Sequence, residues 1–309
     1  MHVRKITAAA ALVLAFIAAT PIASAAANTQ TIIYGQLDIG GSALFTESSG
    51  TETIRYTSYG ASPRGDSFIG FKVQENLSDT IAVGLVVEID NLHANSGSGI
   101  TTRQSYIFFN EHGFGNLRFG TFRNSFSQLR ELSPTSKNIV GGRPTTQNAP
   151  VGFWHFSNTS QNAFEIKSDP SILGGIALGL TASVDSQSVD GPTIGHSRSD
   201  KNIILSANYI SDNWQANFVH GETHTNVSGL EIYMKNTAIG ASYSINSWTL
   251  GVIGEVISTN SESRHQKAQS LEVSALHKHG NIDSFISFGT NKSEVTSLNS
   301  NNSLRTQSV

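Results

Sequence analysis

The sequence predicts an all-β protein, a transmembrane antiparallel β-barrel with about 13 strands, and three observations carry that reading. Apolar residues alternate with small, polar or charged ones along segment after segment, and period two is the signature of a strand. The apolar face continues from each segment to the next, as it must in a barrel whose outside meets lipid and whose inside meets water. Short joins alternate with long loops, an arrangement typical of outer-membrane barrels, where the short turns lie on the periplasmic side.

The first residues stand apart. His2, Arg4 and Lys5 make a positive start, Ile6 to Ala19 is apolar, and Ala23-Ser24-Ala25 supplies small residues for cleavage, so residues 1–25 are expected to be a secretory signal peptide and 26–309 the barrel. Its removal takes two of the 20 Lys+Arg and none of the 23 Asp+Glu, leaving a net charge of −5. That balance gives no reason to expect a nucleic-acid partner. No cysteine is present, which excludes a disulfide framework. No later segment has the roughly 18 consecutive apolar residues of a spanning helix, so the chain is expected to enter the outer membrane as strands.

Thr31–Phe45 reads as the first strand and Glu47–Gly65 as a long polar loop. Ser67–Gln74 follows, with Ile69, Phe71 and Val73 on one face and Lys72 and Gln74 on the other. After a short turn, Ile81–Ile89 places Val83, Leu85 and Val87 opposite Val86, Glu88 and Asp90. Asn91–Gly99 is a second long loop. Arg103–Asn110 and Asn116–Phe122 form the next pair. Arg123–Gln161 then runs about forty residues without sustained alternation, a length that usually marks a functional or disordered loop. Strands resume at Asn162–Lys167 and at Gly175–Val184, where Ile176, Leu178, Leu180, Ala182 and Val184 share one face. Hairpins follow at Asn202–Ile210 with Trp214–Gly221, at Met234–Ile245 with Trp248–Ile257, and at Gln269–His279 with Ile282–Thr290. Tyr34, Tyr209, Trp214, Tyr243 and Trp248, near strand ends, suit interfacial girdles. No helical period stands out.

These residues resemble the trimeric general-diffusion porins of Gram-negative outer membranes. The resemblance runs from Thr31-Ile-Ile-Tyr-Gly-Gln-Leu-Asp through Ile69-Gly-Phe-Lys and Glu75-Asn-Leu to Val87-Glu88, Arg103-Gln-Ser-Tyr-Ile and Phe114-Gly-Asn-Leu-Arg-Phe-Gly. It resumes at Asn162-Ala-Phe-Glu-Ile-Lys-Ser-Asp-Pro with Gly174-Gly175. It implies a 16-stranded barrel, a homotrimer contacted through the second long loop, and a third long loop, here Arg123–Gln161, folded into the lumen opposite a ladder of arginines. This chain departs at that ladder: Phe68, Thr121 and Thr159 stand at arginine positions, and Arg103 alone is kept. It departs again at its end, Asn301–Val309, which is polar and lacks the terminal aromatic, so the sequence is expected to be truncated at the C-terminus.

The implied function is a passive channel for small hydrophilic solutes and ions, with no cofactor and no metal. Alternatives are a truncated, non-functional barrel, or a secreted all-β binding or adhesin module. No catalytic constellation stands against this: there is no Gly-x-Ser-x-Gly elbow, no Gly-Lys-Ser phosphate loop and no cysteine nucleophile. His220 and His224 have a helical metal spacing, but on a strand they lie about 13 Å apart. Lumen charge is the feature that bears on mechanism, because a ring of one sign concentrates the opposite ion. The candidate pore-lining residues are Lys72, Glu88, Asp90, Arg103, Arg118, Arg130, Glu131 and Arg143. By parity Asp38, Glu165 and Lys167 also point inward, and an inward Arg103 places Ser105 and Ile107 inward with Tyr106 and Phe108 outward. Arg123, Arg130, Lys137 and Arg143 against Glu131 give the third loop a net charge of +3, and a weak anion preference is expected.

Overall fold

The computed structural model describes residues 28–36, 39–47, 53–61, 67–90, 101–134, 159–189, 196–227, 230–262, 264–280, 282–297 and 303–308. The proposed signal peptide, Asp38, the Asn91–Gly99 loop, Lys137 and Arg143 lie outside them.

The strands are β1 (Asn28–Gln36), β2 (Ile39–Glu47), β3 (Thr53–Ala61), β4 (Phe68–Asn76), β5 (Ile81–Asp90), β6 (Thr101–Glu111), β7 (Gly115–Arg123) and β8 (Thr159–Ser168). They continue as β9 (Ile176–Val189), β10 (His196–Ile210), β11 (Trp214–Val227), β12 (Leu230–Ile245), β13 (Trp248–Ser261), β14 (Arg264–His279), β15 (Ile282–Ser297) and β16 (Ser303–Ser308). One 14-stranded antiparallel sheet runs β1, then β4 to β16 in sequence order, and β2 pairs with β3 in a separate two-stranded sheet. Among the described residues β1 and β16 are not paired with each other.

Every strand read from the sequence is present, and three are added. Thr31–Phe45 is two strands rather than one: β1 pairs with β4 as far as Gln36 opposite Phe68, and β2 pairs instead with β3, inside the segment read as a polar loop. The polar tail holds β16, which pairs with β15. The later hairpins also run further than the sequence suggests, with β11 reaching Val227 and β12 starting at Leu230. Beyond the apolar band the outward side chains become Lys201, Glu222, His224, Lys235 and Lys267. The hydropathic alternation fades there while the backbone ladder continues.

Side-chain burial is inverted relative to a water-soluble protein, in which large apolar groups gather inside. Ile33, Leu178, Leu205, Phe218, Ile239, Leu250, Val273 and Phe288 are exposed, whereas Glu88, Glu165, Asn208, Asn217, Asn236, Glu255 and Glu272 are buried on the other face. Such a wall is stable when lipid covers the first face and all backbone groups are paired strand to strand. Rings gather at the short-turn ends of the outer face: Trp214 lies 4.5 Å from Tyr243, and Trp248 lies 4.4 Å from His277.

Inside lies a six-residue helix that no sequence period announces, α1 (Ser125–Arg130), capped by the Asn124 side chain accepting from the Phe126 and Ser127 amides. The segment around it shows that the sheet curls. The Arg123 amide donates to Gln104 of β6 at 3.0 Å, Ser125 to Ser206 of β10 at 3.0 Å, and Ser133 to Glu272 of β14. One eleven-residue segment, 123–133, thus touches β6, β10 and β14 in turn, and its Phe126 and Leu129 pack on residues of β10 to β13, as they can inside a sheet that closes round them as a barrel wall.

Candidate functional site

The inner face of β4 to β8 is organised in rows set by strand register. Tyr34, Gly70, Glu88 and Gln104 form one row. A side chain at Gly70 would begin 2.5 Å from the Tyr34 ring. Its absence lets that ring lie across β4, so the Tyr34 hydroxyl donates to Glu88 Oε1 at 2.8 Å. Gln104 Nε2 donates to the other Glu88 oxygen at 2.6 Å. Arg103 Nε stands 3.5 Å from that same Oε2, with its guanidinium 4.2 Å from the centre of the Phe68 ring. Asp90 lies further along β5 on the same face, in register with Phe68.

Two rows closer to the short turns, Arg118 follows Phe108 and is followed by Glu165 and Thr181. Arg118 donates to Glu165 Oε1 through Nε at 2.9 Å and Nη2 at 2.5 Å, and Thr181 Oγ1 donates to Glu165 Oε2 at 3.0 Å. The Arg118 guanidinium also lies 4.3 Å from the Phe122 ring centre. Lys72 is different. Its ammonium sits 5.2 Å from the Phe108 ring, and among the described residues no carboxylate lies within 4.0 Å of it. Lys167 likewise has no such carboxylate there, and it donates to Gln128 Oε1 of α1 at 3.1 Å.

Parity from Arg103 put Tyr106 and Phe108 outside and Ile107 inside. The structure reverses this: Ile107 is 59% exposed and Phe108 only 7%. The cause is a β-bulge, for Glu88 pairs with Gln104 and the next residue, Ile89, with Thr102. The extra residue, Arg103, is accommodated without claiming an alternate position, so Arg103 and Gln104 both reach Glu88.

Across the lumen, α1 is fixed by an apolar patch on an otherwise polar wall. Phe126 and Leu129, one turn apart, cluster with Ile204, Val219, Met234, Ala238, Ile253 and Ile257. These wall residues are inward-facing and apolar, on the wrong face for lipid, and that was the available sequence signal for where the loop docks. Arg130, 5% exposed, brings Nη2 to 4.0 Å from Glu255, which also accepts from Asn236 Nδ2 at 2.6 Å. Glu131 is exposed and pairs with Arg123 at 3.1 Å. Gly251 leaves room for the chain at Leu132 and Pro134 to approach β13.

Of the residues singled out in the sequence, Lys72, Glu88, Arg103 and Arg118 stand on one stretch of the inner wall. Arg130 is placed on the opposite side and Asp90 beside the first row. Tyr34, Gln104, Phe122, Gln128, Glu255 and Glu272 were missed as site residues. His220 and His224 face outward beside Glu222 and Glu231, at 3.7 and 3.8 Å. Among the described residues no group of three metal-ligating side chains forms, and no helix is long and apolar enough to cross a membrane.

The chain is similar in fold to the anion-selective porin of Comamonas acidovorans, at 15% identity and a TM-score of 0.68 over 87% of this chain and 82% of that one. It is also similar to OmpF of Salmonella typhi, solved in complex with daunomycin, at 14% identity and a TM-score of 0.59 over 86% and 78%. No curated protein sequence matches it. The family model for Gram-negative porins matches residues 8–305. Since that match spans nearly the whole chain, this protein belongs to the Gram-negative porin family and is an outer-membrane diffusion channel.

Proposed function

We propose that the channel is passive and water-filled, serves small hydrophilic solutes and ions without catalysis, and is narrowed where α1 stands opposite Lys72, Glu88, Arg103 and Arg118. The observation that carries this is the docked segment: Asn124 to Ser133 is held to both sides of the wall by side-chain hydrogen bonds. Asp90, Glu131 and Arg143 are assigned to the same passage. Residues 1–25 serve as a signal peptide removed on export, and 26–309 as the barrel. A homotrimer in outer-membrane lipid is the proposed assembly, with Asn91–Gly99 as a contact; unheated electrophoresis in mild detergent should show the trimer, and monomer alone would count against it.

Anion preference is proposed to be weak and to rest on Lys72 and Lys167. Arg103, Arg118 and Arg130 each stand beside a carboxylate, and paired charges contribute little net field. In a salt gradient, Lys72→Gln should therefore move the reversal potential toward cations more than Arg130→Ser does. The difference should shrink as salt rises, since the screening length falls from about 10 Å at 0.1 M to about 3 Å at 1 M. Equal shifts for the two variants would reject this assignment, and silence from a folded chain would reject the channel.

A further inference from the structure

Between α1 and the short-turn rim, the inner wall holds an open cleft of about 330 Å³, at the lower end of the ~300–1,000 Å³ usual for small-molecule sites. Three rings line it, Tyr34, Tyr106 and Phe108, together with three cations, Lys72, Arg118 and Lys167. One carboxylate lines it, Glu165, and that group is bound to Arg118 and Thr181.

The geometry points to a binding site for a planar aromatic carboxylate, which deepens the channel reading above and rests on it. Tyr106 and Phe108 stand two residues apart on the inner face of β6 with ring centres 6.5 Å apart. Register carries the argument further. Lys72, Val86 and Tyr106 share one row, and Gln74, Gly84, Phe108 and Arg118 the next. Gly84 leaves the space above β5 to the Phe108 ring, and Lys72 reaches over the same ring. Arg118 lies 5.5 Å from the Tyr106 ring. Two cations therefore flank two rings, and the one on the Phe108 side has no carboxylate partner among the described residues. A ligand ring can stack or meet edge-on with Tyr106 and Phe108 while its carboxylate reaches Lys72. A chloride ion uses the charge alone, and a saturated acid forgoes the ring-to-ring geometry.

The test is planar-bilayer recording of the full chain in potassium chloride, with benzoate or cyclohexanecarboxylate added to both sides. These acids share charge and approximate size and differ in aromaticity. Benzoate should interrupt the ion current at a concentration roughly threefold to tenfold below that of cyclohexanecarboxylate, the range expected of one aromatic contact. Lys72→Gln should raise the half-blocking concentration of benzoate at least about fivefold, with Lys72→Arg restoring it. Phe108→Leu should bring the two acids toward equal potency, which gives a second readout if Lys72→Gln does not fold. Equal block by both acids in the wild-type channel, or none by either, overturns the site while leaving the channel intact. A folded chain with no open steps in potassium chloride fails the channel reading first.

Discussion

Arg103 lies between the Glu88 carboxylate and the Phe68 ring, and Arg118 between Glu165 and Phe122. Charge in the passage is therefore decided by partners as much as by residue type, and a count of arginines misleads. Parity along a strand was enough to place Lys72, Glu88 and Arg118. It failed at Arg103 because a bulge adds one residue without leaving a mark in the alternation. The turns carry their own electrostatics. Asp169 accepts from the Ser171 and Gly113 amides at 2.8 and 2.9 Å, so one carboxylate ties two neighbouring short turns, and hydrogen bonding first from the Ser171 side chain and then from these amides holds its pKa down at about 2. An unfolded aspartate titrates at about 3.9. The folded group is depressed, so its contribution is complete above pH ~4 and disappears as pH falls through about 2. Thermal unfolding in detergent should show the wild type losing its margin over Asp169→Asn across that window. A margin independent of pH would show that the carboxylate does not tie the turns.

At the scale of the element, α1 is held by two side chains, Phe126 and Leu129, each almost fully buried against the barrel's inner wall. Phe126→Ala removes a ring from that contact. Comparable core truncations cost about 3–5 kcal/mol, more than the few hydrogen bonds around the segment are each worth at about 1 kcal/mol. Single-channel conductance should rise as the segment loosens, with the barrel still folded by electrophoretic mobility. Unchanged conductance in a folded variant would mean that the segment does not limit flow. That a long loop follows β7 was legible from its length and missing alternation. The helix was not, since six residues give less than two turns, too few for a period to emerge. Its docking patch was written in Ile204, Val219, Met234, Ile253 and Ile257, apolar residues on a face otherwise polar.

For the whole molecule, the barrel class was legible because period two, continued across successive strands, leaves few alternatives once a spanning helix is excluded. What escaped were strand ends: outside lipid there is no apolar face to read, yet pairing goes on. β12 has 16 residues, which at ~3.4 Å each and a tilt near 45° rise about 38 Å, against an apolar band about 25 Å tall. Roughly the upper third of that wall thus stands clear of the bilayer as laced backbone, carrying Lys201, Lys235 and Lys267 where a protease can touch them. A protease must draw several residues of free, extended chain into its cleft, and a strand bonded on both sides has none to give until it opens. These lysines are consequently bait without a hook: trypsin should leave the bonds after them uncut in the folded protein and cut them once the barrel is heated. Cleavage there at room temperature, with the barrel intact, would show that the rim frays and that its armour is thinner than its ladder suggests.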